Sequence, residues 1–212
     1  MNATSLNGLQ VCPPAATRIF LLRHGEVAGH GEPRYNGQQD VPLTERGRQQ
    51  YRQLVGRLRD RPVRAVYSSD LSRCAEGAAM LAETYGLQPV TLRQLREIHA
   101  GAWEGRPWRE LQERYPRQWQ ARLDDIVHYR IPGGETLLEA LNRARTALEE
   151  LLFRHRGQEV VLVSHGGINR LLLLDALGAS LERVFSLSQF YGCLNIVDYR
   201  SLNSATVHLC NG

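Results

Sequence analysis

The chain has 212 residues, of which 42% are hydrophobic and 23% are charged, a composition typical of a globular protein with a sizeable core. All 26 basic residues are arginine, and the absence of lysine excludes Schiff-base catalysis, a Walker-type phosphate loop and the kinase strand lysine. The net charge of +4 is modest and the arginines are spread along the chain, so we expect neither a nucleic-acid nor a membrane partner.

The cysteines and the first residues indicate the compartment. The four cysteines form no CxxC pair, which argues against a zinc knuckle and a disulfide framework. The start of the chain has neither the charged region nor the apolar region of a secretory signal, so we expect a cytoplasmic protein. Residues 1 to about 17 lack periodicity and contain Pro13-Pro14, which predicts a loose tail before a single domain over 18–212.

The remaining chain alternates apolar strands with amphipathic helices, which predicts an α/β three-layer sandwich with a mostly parallel sheet. Residues 103–134, which contain polar helices, are expected to form a small cap, with Pro107 at a first helical position. In chain order, the predicted elements are a strand at 18–24, a helix at 44–60 capped by Thr44, a strand at 63–69, a helix at 71–86, an edge strand at 90–92, the cap helices between 107 and 127, a helix at 136–155, a central strand within 159–167, a helix at 168–178, and strands at 193–200 and 205–210.

Two of these strands end in the same way, as "LLRHG" at 21–25 and "LVSHGG" at 162–167. Because ligands bind outside the carboxyl ends of strands in open α/β sheets, His24 and His165 are expected at one crevice. Either histidine alone could be a hydrogen-bonded core residue. Glycines after the strands allow a close approach of the backbone, and the helix that starts near Gly167 would direct free N–H groups at an anion. With Arg23 beside His24, this crevice is suited to phosphate.

Six motifs carry a resemblance to a known family. They are "RHGE" at 23–26, Gly37 with "DVPLTERG" at 40–47, "YSSDLSRC" at 67–74, "LREIHAGAWEG" at 95–105, "PGGET" at 132–136 and "VSHGG" at 163–167. Together they resemble the histidine phosphatase superfamily, on its phosphoglycerate-mutase-like branch, over residues 18–199. The resemblance implies a phosphoglycerate-mutase-like fold and hydrolysis of a phosphomonoester through a phosphohistidine.

The resemblance also implies residue roles. They are His24 as nucleophile, Glu97 as general acid, His165 as a second catalytic histidine, and Arg23, Arg73, Asn36 and Gly166 as phosphate-binding residues. For Asn36 a turn-forming Asn-Gly pair is an equal alternative. For Glu97 the alternative is a surface residue, with Glu104 as the acid. Asp40 and Asp70 are expected to cap helices or form turns, and Glu26 to pair with an arginine.

The substrate is less clearly indicated. Mutases of this branch usually carry asparagine where this chain has His30, and they use lysine in a longer middle insertion, so mutase activity is disfavoured. The motifs look most like those of bacterial alpha-ribazole phosphatases of cobalamin biosynthesis, and related broad-specificity phosphatases share nearly the same motifs. The resemblance implies a small-molecule substrate and no cofactor. Trp103, Trp108 and Arg109 could contact a flat leaving group or simply pack.

Two other classes of function remain as hypotheses. A metal-dependent hydrolase could use His24, His165, Asp40 and Glu97, although no HxxxH or HxD spacing supports it. A non-catalytic phosphate-binding module is the second, because family members that lose the acid or a histidine can persist as binders.

Overall fold

A computed structural model describes residues 15–212, and its centre is one six-stranded sheet. The strands are β1 (Thr17–Arg23), β2 (Val63–Ser68), β3 (Val90–Thr91), β4 (Glu159–Ser164), β5 (Leu194–Ser201) and β6 (Ser204–Leu209). Their order is β3-β2-β4-β1-β5-β6, with parallel pairing from β3 to β1 and antiparallel pairing of β5 with its two neighbours. The predicted mostly parallel sheet is therefore confirmed.

Helices cover both faces of this sheet. They are α1 (Glu45–Leu58), α2 (Ser72–Thr84), α3 (Trp108–Arg114), α4 (Pro116–Asp124), α5 (Leu137–Arg154) and α6 (Gly166–Ala176). Apolar residues of α1 and α2 pack with Phe20, Leu22 and Val161 on one face, whereas those of α5 and α6 pack with Ile19 and Leu21 on the other. Successive residues of β1 thus point into different cores, which explains why this strand is apolar throughout. The three-layer prediction is confirmed.

Side-chain caps fix where two of the helices begin. Thr44 Oγ1 accepts a 3.0 Å hydrogen bond from Gly47 N at the start of α1, as the sequence predicted. Thr136 and Glu139 form a reciprocal capping box at the start of α5. These caps set the helix ends that face the loops of the site.

The cap consists of α3 and α4 over an aromatic cluster. Trp103 lies at its centre and is stacked on Trp119, with ring centroids 5.9 Å apart. The expected helical position of Pro107 was wrong by one residue, because Pro107 precedes α3 and pairs with Arg34 in an isolated bridge. Pro116 instead occupies the first turn of α4, where a missing N–H has no cost.

The predicted tail is described only in part. Residues 1–14 lie outside the described residues, whereas Thr17 already belongs to β1 and is buried. The strand begins one residue earlier than expected because Thr17 pairs with Tyr199 and its hydroxyl donates to His155 O at 2.9 Å. None of the helices within residues 15–212 has the length and apolar character needed to cross a membrane.

Candidate active site

A cavity of about 330 Å³ opens at the carboxyl ends of β1 and β4, under the cap. Its wall includes six of the seven predicted site residues, namely Arg23, His24, Asn36, Arg73, Glu97 and Gly166. The seventh, His165, lies directly behind this wall, with its ring centroid 5.2 Å from that of His24. The structure therefore brings the predicted residues together in one place.

His24 is buried and electrically neutral near pH 7. Its Nδ1 lies 2.8 Å from Gly25 O, and because a carbonyl oxygen only accepts hydrogen bonds, Nδ1 carries the ring proton. Burial, and then the positive charges of Arg23 and Arg73, hold the pKa of His24 well below its usual value of 6.5. The other nitrogen, Nε2, therefore has a free lone pair.

His165 is held by Arg73 rather than exposed to the cavity. Arg73 Nε donates to His165 Nδ1 at 3.3 Å, so the proton of the neutral ring is on Nε2. The Cys74 thiol lies 3.5 Å from that nitrogen. Burial and the nearby Arg73 place the pKa of His165 well below 6.5, so two neutral imidazoles lie side by side.

The two predicted phosphate-binding arginines have no carboxylate partner among residues 15–212. Arg73 donates to the carbonyl oxygens of Gln39 at 2.6 Å and of Gly37 at 2.8 Å. Arg23 donates to Gln189 O at 2.6 Å and lies over the ring of Tyr191, 3.9 Å from its centroid. Among residues 15–212 the buried Nε–H of Arg23 has no hydrogen-bond acceptor, so a donor is left over for a phosphate oxygen.

Glu97 occupies the start of α6 that the sequence analysis assigned to the anion. Its carboxylate accepts hydrogen bonds from Gly167 N at 3.0 Å and Ile168 N at 3.3 Å. A Cβ at Gly167 would collide with this carboxylate, so only glycine permits the approach. The expectation that these N–H groups face a ligand directly was wrong, because an acidic side chain already satisfies them.

The backbone around Glu97 is fixed from two sides. Arg96 forms a bidentate pair with Asp70, with both distances at 2.7 Å. Arg143 of α5 donates to Arg96 O at 2.9 Å and to Glu97 O at 3.4 Å. Asp70, at the bend between β2 and α2, therefore positions the segment that carries Glu97.

Glu104, the alternative acid, binds backbone N–H groups instead. Its carboxylate accepts hydrogen bonds from Gln38 N at 2.8 Å and Ala100 N at 3.2 Å, and it lies outside the cavity wall. Gly37 has φ of +51°, and a Cβ there would collide with this carboxylate. Glu104 thus holds the turn that presents Asn36.

The turn interpretation of Asn36 is confirmed, whereas its contact with phosphate stays a prediction. Its carbonyl accepts a 3.0 Å hydrogen bond from Gln39 N, which closes the Asn-Gly turn, and the residue also lines the cavity.

The remaining acidic candidates are structural, as expected. Asp40 caps α2 by accepting hydrogen bonds from Ser72 N and Ser72 Oγ at 2.8 and 2.7 Å. Glu26 contacts Arg46 and Thr44. Within residues 15–212 no three histidine, cysteine or carboxylate side chains are placed to share a metal ion, so the donor set gives the metal-hydrolase hypothesis no support.

Sequence reasoning missed much of the cap side of the cavity. Of the three cap residues considered, Trp103 packs in the aromatic cluster, Arg109 is exposed beside Glu32, and Trp108 lines the cavity. The missed lining residues include Arg34, Tyr35, Arg122, Arg170 and Tyr191. No local pattern marks them, because they reach the cavity only through the tertiary placement of the loop after β1, the cap, α6 and the loop before β5.

Comparison with known proteins agrees with this arrangement. Residues 19–211 match the model of the histidine phosphatase superfamily (branch 1). The metal-independent phosphoserine phosphatase of Arabidopsis thaliana is 36% identical over 77% of this chain and 70% of its own length. The alpha-ribazole phosphatase of Shigella flexneri has a TM-score of 0.82 at 28% identity, covering 92% of this chain and 96% of that one.

A mycobacterial glucosyl-3-phosphoglycerate phosphatase superimposes equally well, with a TM-score of 0.83 at 27% identity, over 93% of this chain and 99% of that one. These similarities confirm the predicted fold and the predicted resemblance. The chain belongs to the histidine phosphatase superfamily and is a phosphoric monoester hydrolase of that family.

Proposed function

We propose that the protein hydrolyses small phosphomonoesters through a phosphohistidine formed on His24. The observation that carries this proposal is the state of His24, a buried neutral imidazole with its proton on Nδ1 and with Arg23 and Arg73 as neighbours. A neutral imidazole is a nucleophile, whereas an imidazolium is not. The unpartnered Arg23 Nε–H supports phosphate binding at the same place.

The reaction takes two displacements at phosphorus. In the first, the lone pair of His24 Nε2 forms a P–N bond while the ester P–O bond breaks and the leaving oxygen takes a proton from Glu97. In the second, water forms a P–O bond and gives its proton to Glu97 while the P–N bond breaks. Arg23 and Arg73 stabilise the charge of the transferring group, where positioning and electrostatics supply most of the catalysis, and His165 positions Arg73 by accepting the hydrogen bond from its Nε.

The acid role of Glu97 is tested against the matched carboxylate Glu104. We expect Glu97→Gln to slow alkyl phosphates by about 10²–10⁴-fold but p-nitrophenyl phosphate far less, because nitrophenolate leaves without a proton. Glu104→Gln should show no such dependence on the leaving group. Equal losses with both substrates in Glu97→Gln would contradict the assignment.

Two substrate classes have support. The motifs and the Shigella flexneri neighbour support alpha-ribazole 5'-phosphate, and with it a place in cobalamin biosynthesis and in the cytoplasm. The relative named a phosphoserine phosphatase and the neighbour named a glucosyl-3-phosphoglycerate phosphatase support a phosphorylated carboxylic acid. The arginines on the cap side of the cavity favour the second class.

The overall proposal is tested with a panel of phosphomonoesters that includes alpha-ribazole 5'-phosphate, 3-phosphoglycerate, nucleotides and p-nitrophenyl phosphate. We expect turnover that persists in EDTA and strong inhibition by vanadate, which mimics the five-coordinate phosphorus. Activity that EDTA abolishes and zinc or manganese restores would favour the metal-hydrolase hypothesis. Binding of phosphate without hydrolysis of any ester would favour the non-catalytic module.

A further inference from the structure

The cap side of the cavity contains a buried arginine without an acidic partner. Arg122 of α4 is 5% exposed and lines the cavity. Its Nε donates to Tyr35 Oη at 3.1 Å and its guanidinium lies 5.6 Å from the Tyr35 ring centroid. Within residues 15–212 neither terminal nitrogen of Arg122 has a hydrogen-bond partner, and no carboxylate pairs with it. A buried cation in this state is costly unless an anion joins it.

Two further donors on the same side are unsatisfied. Trp108 Nε1 and Arg34 Nε are both buried without a hydrogen-bond partner among residues 15–212, and both residues line the cavity. Buried N–H groups are rarely left unpaired in folded proteins, and neither group can accept a hydrogen bond. These two N–H groups therefore lack an acceptor among residues 15–212, and the Arg122 guanidinium on the same side lacks an anionic partner there.

These donors belong to one subsite because the segment 33–37 connects them. Tyr35 contacts Arg122 through its hydroxyl and lies 5.7 Å from Trp108 between ring centroids. Trp108 N donates to Pro33 O at 2.9 Å, so the loop before Tyr35 is fastened to the start of α3. The subsite is therefore a defined patch of the cavity wall.

The same segment also gives the distance to the phosphate site. Gly37 O accepts a hydrogen bond from Arg73, and Gly37 is three residues after Arg34. Three residues span at most about 11 Å, so the loop that contacts Arg122 and Trp108 continues directly into the loop that holds Arg73.

The acidic residues of the cavity are already engaged elsewhere. Glu135 pairs with Arg143, with the closest approach at 2.6 Å, and Glu97 receives the N–H groups of α6. Glu32 lies 3.7 Å from Arg109 and 3.6 Å from Arg34. None of them is paired with Arg122, so the wall keeps positive charge that the phosphate does not contact.

We propose that this subsite binds a carboxylate on the leaving group, so that the substrate is a short phosphorylated carboxylic acid. The proposal rests on the proposed function. Arg122 offers a planar pair of N–H groups, the geometry that a carboxylate matches, and Trp108 Nε1 adds a third donor. The proposal predicts a higher kcat/KM for esters such as 3-phosphoglycerate than for alpha-ribazole 5'-phosphate, whose leaving group is neutral.

The test compares two esters that differ only at this group, 3-phosphoglycerate and glycerol 3-phosphate, in which a hydroxymethyl replaces the carboxylate. We expect kcat/KM for 3-phosphoglycerate to be higher by at least about tenfold in the unmodified protein, because hydrogen bonds to charged groups are worth more than neutral ones. Arg122→Met should remove most of this ratio. The matched control is Arg117→Met, because Arg117 is exposed on the same helix and lies outside the cavity wall.

Each outcome decides the proposal. Equal kcat/KM values for the two esters, or a ratio that Arg122→Met leaves unchanged, would overturn it. A preference for glycerol 1,3-bisphosphate over 3-phosphoglycerate would assign a second phosphate and would also overturn it. If Arg122→Met does not fold, Trp108→Phe is measured in its place, because it keeps an aromatic ring and removes the N–H donor. The ratio of kcat/KM for 3-phosphoglycerate to that for glycerol 3-phosphate should then still fall. If the unmodified protein does not hydrolyse p-nitrophenyl phosphate, that result would instead contradict the proposed function itself.

Discussion

The two ends of the central sheet carry arginines in opposite circumstances. At the amino end of β1, Arg18 forms a bidentate pair with Asp198, with both distances at 2.7 Å, and Arg61 pairs with Glu159 beside it. At the carboxyl end of the same strand, Arg23 contacts a carbonyl oxygen and an aromatic ring, and its Nε–H has no partner in the described part of the chain.

The difference separates structural from functional charge. A buried arginine with a carboxylate partner is satisfied, and it fixes strands to each other. A buried arginine among carbonyl oxygens and neutral histidines keeps its positive charge available for an anion that arrives from solution. Arg73 and Arg122 share this second condition, one beneath the phosphate site and the other in the cap.

The largest effect is expected at the amino end. Arg18→Met leaves the buried Asp198 with His208 as its one remaining partner among the described residues, so the free energy of unfolding should fall by about 3–5 kcal/mol. Urea denaturation measures this loss. The kcat of the folded fraction should not change, because Arg18 lies at the end of the strand away from the cavity. An Arg18→Met protein that is stable but inactive would contradict the structural role of Arg18.

At the carboxyl end the same substitution should give the reverse result. Arg23→Met is expected to lower kcat/KM by about 10²–10³-fold, equivalent to about 2.7–4 kcal/mol, because it removes a donor to the transferring phosphoryl group. The free energy of unfolding should change by less than about 1 kcal/mol, since no buried carboxylate is left unpaired. Steady-state kinetics and urea denaturation on the same preparation check both parts. A large loss of stability would show that Arg23 is structural.

The most gradual effect concerns pH, and the two ends should respond in different windows. His24 and His165 have pKa values well below 6.5 in the folded protein, so the unfolded chain binds more protons as pH falls below 6.5. Stability should therefore fall from pH 6.5 downward, by up to about 1.4 kcal/mol per pH unit for each histidine.

At the amino end, burial alone would raise the pKa of Asp198, but the hydrogen bonds from Arg18 lower it below 3.8. Its contribution to stability is therefore present above that pH and is lost only in stronger acid. Urea titrations at pH 7, 6 and 5 separate the windows. His165→Asn should reduce the slope of the free energy of unfolding against pH over this range. A slope that His165→Asn leaves unchanged would show that protonation of the buried histidines is not its cause.

The sequence could predict the part of the site that local patterns encode. His24 and His165 follow apolar strands, and parallel strands bring their carboxyl ends together whatever else the chain does. The caps of α1 and α5 are equally local. These features depend on neighbours in sequence, so periodicity and capping residues reveal them.

The remainder depends on distant partners. Glu97 reaches Gly167 across 70 residues, and Tyr35 meets Arg122 across 87. Nothing within "LREI" shows that its glutamate would take the N–H groups of α6, and nothing within "WQARLD" shows that its arginine would lack a carboxylate. Such contacts follow from how the cap and the loops lie on the sheet, which local sequence does not determine.

Direct trapping of the phosphoenzyme tests the central claim, which is that His24 carries the phosphoryl group. The protein is mixed rapidly with a ³²P-labelled ester and then denatured in base. The unmodified protein should retain label, and acid should release that label. His208→Asn is the matched control, because His208 bonds Asp198 at the other end of the sheet, and it should behave in the same way. His24→Asn should retain none and should not turn over. Label that persists in His24→Asn, or that survives acid treatment in the unmodified protein, would contradict the account.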